Sequence, residues 1–535
     1  MTEPAPTPEA VDGAVSTSAD LADGRWHRLH PATPLLRGGI AFIAILGVIV
    51  VNLRDVAIEI VFGGGNDWDD EYDPITFILE HDYLGFVILA IIGGLLLSIL
   101  AFYLSWRMHT FRITDELVEV RSGILFRTHR RGRLDRIQGI NIVRPFLARL
   151  FGAAKLEVTV AGQDANIPLA YLSSGAADEL RRQILWLASG SARAESADAG
   201  AAAPAGVAGP AGSIVDQRVA ELLAPELDPA LAAPESVVKM HPGRLAGSLL
   251  LSGTTIVVLA AAIVATIVIV RTGEAFFLFA FVPGIIGVGS FYVNRVTRSL
   301  RYSIASTPDG VRVGFGLLST SNETLPPGRI HAVQVMQPLL WRPAGWWQVS
   351  INRASTSSAQ GAAGQANTVI LPVGTLSDVR KVLELVLPLM VDEESIALLE
   401  RGLVSKGGDD GFVNSPRRAA PIRWFSWRRN GFAITSSAVL LRKGAIWREL
   451  VIVPQARMQS VALAQGPLLR RLRLATVRLH TVAGPISARL GAIDETVAVR
   501  FFQDAAAEAI AAGTADRSHR WRAPLVEPPA EPEQA

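Results

Sequence analysis

The stretch Gly444-Ala445-Ile446-Trp447, followed by Arg457-Met458-Gln459-Ser460-Val461, decides the reading because its pattern occurs three times. An earlier copy reads Gly123-Ile124-Leu125-Phe126 and then Arg136-Ile137-Gln138-Gly139-Ile140. A middle copy reads Gly316-Leu317-Leu318 and then Arg329-Ile330-His331-Ala332-Val333. The step from Gly to Arg is thirteen residues in every copy, and a Pro follows at 145, 338 and 467. Each copy opens on a related motif: Phe111-Arg112-Ile113-Thr114, Tyr302-Ser303-Ile304 and Phe432-Ala433-Ile434-Thr435. Self-similarity of this kind marks a repeated structural unit.

Each unit reads as β. Val118-Glu119-Val120-Arg121 and Val311-Arg312-Val313-Gly314 alternate with period two, as do Leu156 to Val160 and Val477 to His480. The Gly after the second strand suits a tight turn or bulge. A helical signal closes each copy, at 176–187, 376–387 and 496–512. In the second of these, Thr375 and Asp378 stand at the spacing of a capping box. Several short strands plus one helix predict a small barrel or sandwich closed by that helix.

These features resemble bacterial pleckstrin-homology-like domains of the YdbS type. The apolar-x-Ile-Thr opening, the Arg-Ile-Gln strand start and the Gln465-Gly466-Pro467-Leu468 stretch carry the resemblance. It extends over roughly residues 30–512 and implies YdbT-like proteins, in which membrane hairpins alternate with such domains. The resemblance implies a fold and no chemistry. The middle copy departs most, with His331 in place of the Gln.

Composition points to a membrane. Half of the 535 residues are hydrophobic and 19% are charged, against about 25% charge in an ordinary soluble domain. Four apolar stretches approach spanning length, at 38–53, 83–106, 245–270 and 275–293. Basic residues flank the outer ends of both pairs, which predicts cytoplasmic termini. The expected fold class is therefore an α+β membrane protein: two transmembrane helical hairpins, at 36–106 and 245–293, plus three cytoplasmic PH-like domains at 107–188, 295–390 and 422–512. Residues 1–30 and 513–535 read as disordered tails, and 189–236 and 391–421 as linkers.

Catalytic constellations are missing from the sequence. There is no Cys, which excludes disulfides and thiolate metal sites, and the nine His are scattered with no HExxH pattern. No metal, cofactor or nucleic-acid partner is expected, and the net charge of +2 is too small for bulk nucleic-acid binding. The acidic loop 66–73 reads as solvated rather than as an ion site. Two basic groups are candidate contacts for anionic headgroups or protein partners: Arg127, Arg130, Arg131 and Arg133, and Arg442, Lys443, Arg470, Arg471 and Arg473. The repeated Arg136, Arg329 and Arg457 admit two readings, a structural bond or a ligand-facing cation. The run Arg423-Trp424-Phe425-Ser426-Trp427 suits either a headgroup layer or, more readily, a first strand with Trp in the core. The expected role is a non-enzymatic multi-pass membrane scaffold that presents its three cytoplasmic PH-like domains to proteins and anionic lipids at the cell envelope; the first alternative is a component of a transport or export complex, and a membrane enzyme ranks behind it.

Overall fold

A computed structural model describes residues 21–30, 33, 84–123, 127–161, 166–188, 238–272, 276–300, 302–307, 310–316, 319–326, 328–353, 368–390 and 392–516. Three β units follow one another along the chain. The first has four strands, β1 (His27–Arg28), β2 (Thr110–Ile113), β3 (Leu117–Ser122) and β4 (Thr128–Arg133), and then three more, β5 (Ile137–Arg144), β6 (Ala153–Val160) and β7 (Ile167–Ser173). Between and after these lie α1 (Leu84–Met108), α2 (Phe146–Leu150) and α3 (Ser174–Ala188). Period-two alternation puts Phe111, Ile113, Val118 and Val120 on the same inner face. They pack in one core with Ile140, Leu156, Val158 and Leu169 of the second layer, and with Leu180 and Ile184 of the closing helix α3.

The second unit repeats this plan after α4 (Pro242–Leu250), α5 (Gly253–Thr272) and α6 (Phe276–Ser299). Its strands are β8 (Val238–Lys239), β9 (Ser303–Thr307), β10 (Gly310–Phe315), β11 (Thr320–Leu325), β12 (Ile330–Gln337), β13 (Trp347–Arg353) and β14 (Val369–Gly374), closed by α7 (Leu376–Val386). The expected capping box is present: Thr375 accepts from the Asp378 amide and Asp378 accepts from the Thr375 amide. After α8 (Glu393–Val404) and α9 (Ala420–Arg423), the third unit has β15 (Val413–Asn414), β16 (Gly431–Ile434), β17 (Ala438–Lys443), β18 (Arg448–Pro454), β19 (Ser460–Ala464), β20 (Leu474–His480) and β21 (Arg489–Asp494). Helix α10 (Pro467–Arg471) lies within it and α11 (Glu495–Ala515) closes it.

The units are not separate beads. β5 of the first pairs antiparallel with β11 of the second, making one seven-stranded sheet β7-β6-β5-β11-β10-β9-β8. β12 pairs likewise with β18, giving β14-β13-β12-β18-β17-β16-β15. A sheet thus runs through each boundary, and every unit is a sandwich of two layers, each of the inner layers shared with a neighbour. The sheet of the third unit shows why its sequence is so apolar. Val439, Leu441, Val451 and Val453 face the core of their own unit. Leu440, Leu450 and Ile452 face the other way, into a core shared with α8 and the second unit. Strands covered on both faces read as continuous apolar runs rather than alternating ones.

Several expectations are corrected. The two transmembrane hairpins are not supported: among the described residues no single helix is long and apolar enough to cross a membrane. Only a joined pair, Pro242–Leu250 with Gly253–Val268, passes that test, and it is bent by 47°. The apolar run 245–270 is therefore broken near Leu251-Ser252, which counting apolar residues does not reveal. The YdbT-like multi-pass architecture falls with the hairpins. The stretch 38–53, the acidic loop 66–73 and the linker 189–236 lie outside the described residues. The segment 391–421 is no linker, since it folds into α8, β15 and α9, with Leu403, Phe412 and Ala419 buried. The tail 1–30 ends in β1, where Leu29 is buried and Trp26 lies under Arg112 and Arg121 at 4.9 and 4.1 Å.

Candidate functional site

The repeated Gly and Arg occupy equivalent places in the three units. Gly123, Gly316 and Gly444 all take positive φ, +106°, +108° and +78°, at the end of the strand preceding β4, β11 or β18. A Cβ on Gly444 would stand 1.8 Å from the Trp447 carbonyl oxygen. Each repeated Arg sits just before the strand that makes or lacks a junction, β5, β12 or β19. Arg329 donates from Nη2 to the Asp135 carbonyl at 2.9 Å, so it reaches back from its own unit to the residue before Arg136. Arg457 pairs with Asp516 at 2.7 Å. Arg136 is exposed. The structural reading thus describes Arg329: it ties one unit to the last.

Arg457, Asp135 and Asp516 all lie close enough to Arg329 to act on its charge. Burial and the nearby Arg457 charge depress the Arg329 pKa, with Asp135 and Asp516 opposing the shift. His331 lies among them. Burial first, and then the charges of Arg457 and Arg329, lower its pKa to about 4, so the imidazole is neutral at pH 7. Polar contacts complete each junction: Ser321 to Asn141 at 2.7 Å in the first, Gln334 to Glu449 at 2.6 Å in the second.

The basic candidates divide. Arg127, Arg130, Arg131 and Arg133 are exposed on and beside β4. Arg131 pairs with Glu119 at 2.9 Å, Arg133 with Asp135 at 3.1 Å, and Arg130 donates to the Asn166 carbonyl at 3.0 Å. Arg442 is no surface contact: its side chain is 0% exposed, bonded to Asp410 at 2.5 Å and Asn414 at 2.7 Å, and stacked on Phe412. Burial opposes ionisation of Asp410, yet the bonds from Arg442 and Ser405 outweigh it and hold the carboxyl below the usual range. Lys443 pairs with Glu449 at 2.8 Å.

Arg470, Arg471 and Arg473 are exposed at and just after α10. Beside them the run 423–427 corrects the strand reading: it is helix end and turn, and Trp424 and Phe425 are 71% and 63% exposed. Their rings meet at a tilt of 59°, with centroids 4.1 Å apart. A small core of Ala419, Leu474 and Ala492, with Trp427, Leu469 and Leu472 against it, ties this turn to α10. Arg418 reaches the Arg473 carbonyl and the Asp494 carboxylate. Two segments of the third unit joined by this small core therefore expose aromatic rings on one and Leu468 with three cations on the other. Trp347 is buried in the core of the second unit.

A residue that the pattern did not single out holds this unit together. Arg429 donates to the carbonyls of Gly402 and Leu403 at the end of α8, and to those of Lys443 and Gly444 in the repeated turn. Burial, then the Arg442 charge, lowers its pKa to about 9. Among the described residues no group of three His, Asp or Glu side chains is placed to hold a metal ion.

The fold repeat and its junctions meet a family match at this point. Residues 45–187, 248–390 and 411–517 each match the family described as bacterial PH domain. The chain belongs to the bacterial PH domain family. No curated protein and no solved structure matches it. The three matches cover the three β units apart from β1 and β8, and they take in α1 in the first and the end of α4 with α5 and α6 in the second. Three such domains in one chain are consistent with a binding or scaffold role.

Proposed function

We propose that this three-domain chain is a non-enzymatic scaffold that works at the inner face of the cell membrane, touching anionic headgroups through its third PH domain and holding protein partners with the rest. The observation that supports the reading most is the exposed group of Trp424, Phe425, Leu468, Arg470, Arg471 and Arg473. Exposed aromatic rings beside cations suit the interface between headgroups and acyl chains. A cation near an anionic surface contributes about 1 kcal/mol, so three of them matter only together.

The test uses the full chain, because an isolated third unit would lose the β12 partner of β18. Sedimentation with vesicles containing phosphatidylglycerol is expected to show binding that weakens as salt rises. Reversal of Arg470, Arg471 and Arg473 to Glu is expected to abolish it, and Trp424→Ala with Phe425→Ala to weaken it. Equal binding to neutral phosphatidylcholine vesicles, or indifference to the reversals, would overturn the headgroup reading and leave a scaffold for proteins alone.

A further inference from the structure

The two junctions inside the chain share one geometry. In the first, Ile140 stands opposite Thr324 and Arg144 opposite Thr320. In the second, Val333 stands opposite Ile452 and Gln337 opposite Arg448. Counted from the repeated Arg136, Arg329 and Arg457, these are the same positions: four residues past one Arg faces five residues before the next. Among the described residues the rule leaves one strand over at each end. β4, the counterpart of β11 and β18, ends the sheet β1-β2-β3-β4. β19, the counterpart of β5 and β12, ends the sheet β19-β20-β21.

Burial shows what these two strands lack. β11 is buried at every position and β18 through its centre. β4 is exposed everywhere except at Gly132. β5 is buried over its first six residues, whereas β19 has no buried residue and exposes Leu463. An unpaired strand edge is a template for another strand.

We propose that β19 of one molecule pairs with β4 of a second copy, in the register of the internal junctions, so that chains join head to tail. That register sets Val461 opposite Arg131, Ala462 opposite Arg130, Leu463 opposite His129 and Ala464 opposite Thr128. Arg136 of the second copy then meets the Ala456 carbonyl of the first, as Arg329 meets the Asp135 carbonyl within the chain. Charge selects the pairing. β4 carries Arg130, Arg131 and Arg133, so two β4 edges repel, while β19 carries no charged side chain. A head-to-tail contact of this kind closes into a ring when the rotation per subunit allows and otherwise runs on as a filament. The inference goes beyond the scaffold reading and needs no lipid.

The chain has no Cys, so introduced thiols are its only ones. Full-length Leu463→Cys is mixed with His129→Cys, and Ala464→Cys with Thr128→Cys, without lipid, then oxidised and run on non-reducing gels. All four positions are exposed. Adjacent pairs alternate between wide and close spacing, so one of the two mixtures holds thiols at disulfide distance. That mixture is expected to give a disulfide-linked dimer in at least tenfold excess over each variant alone and over Leu463→Cys mixed with Glu508→Cys. Unmodified chain is expected to sediment as species larger than a monomer, growing with concentration. Homodimers from each variant alone, yields no higher than the Glu508→Cys control, or a monomer at every concentration would overturn the proposal. Circular dichroism of the four variants guards against misfolding, and the unmodified chain needs no such guard.

Discussion

His331 stands where the other two copies have Gln138 and Gln459, and it is neutral because it is hemmed in by burial and by Arg457 and Arg329. The unfolded imidazole takes its proton near pH 6.5, whereas the folded one holds off until about 4. The unfolded chain therefore binds more protons between those values, so stability is full above pH 6.5 and falls as pH drops toward 4. A loss of roughly 1–3 kcal/mol is expected over that window. Denaturant midpoints at pH 7 and pH 5 read it, and His331→Gln should flatten the dependence. Arg442 and Asp410 make a second test at this scale. Removing one partner of a buried ion pair costs roughly 3–5 kcal/mol, while replacing both with apolar groups costs much less. Arg442→Met alone should therefore destabilise strongly, and Arg442→Met with Asp410→Leu should recover much of the loss in urea melts. Neither role is visible in the sequence. Arg442 read as a surface cation because its neighbours in sequence are basic, and nothing local shows that Asp410 and Phe412 fold back over it.

At the scale of elements, the repeat was legible where geometry is local. The spacing from Gly to Arg reports a hairpin whose turn needs positive φ and a strand start that follows at fixed distance. Gly444→Ala puts a Cβ 1.8 Å from the Trp447 carbonyl oxygen at φ +78°, and should cost about 1–3 kcal/mol. Gly513→Ala is the contrasting case. It lies in α11 with nothing within 4 Å of the added Cβ, so the change should stabilise by up to about 1 kcal/mol. Thermal melts of both variants give the comparison. The capping box at Thr375 was likewise readable, since it needs only residues three apart. The bend between α4 and α5 was not, because an apolar run looks the same straight or broken at Ser252. Nor was the turn at Trp424, where Trp beside Arg fits a strand as well as an exposed corner.

For the whole molecule, the decisive feature is that sheets cross both boundaries. Pattern alone found three similar units, but pairing between β5 and β11 or between β12 and β18 joins residues some 180 and 120 positions apart, beyond the reach of any local signal. One sign lay in the sequence all the same: the apolar runs 438–441 and 450–453 belong to strands covered on both faces. The basic candidates on β4 and after α10 lie at the surface, as their charge implies, while the exposure of the aromatic rings emerges only from the fold. Cutting the chain after residue 390 removes β18 and leaves β12 paired with β13 alone. That truncated chain is expected to associate, as light scattering would read, because a long apolar edge is left open. The most direct measurement is amide hydrogen exchange on the intact chain, resolved by residue over 320–324 and 448–452. In a strand paired on both sides every amide is bonded, whereas an edge strand leaves every second one open. If the PH domains are joined edge to edge, successive amides in both segments will exchange as slowly as those of β10 and β17. Fast exchange at alternate positions would show two free edges and would contradict the joined architecture.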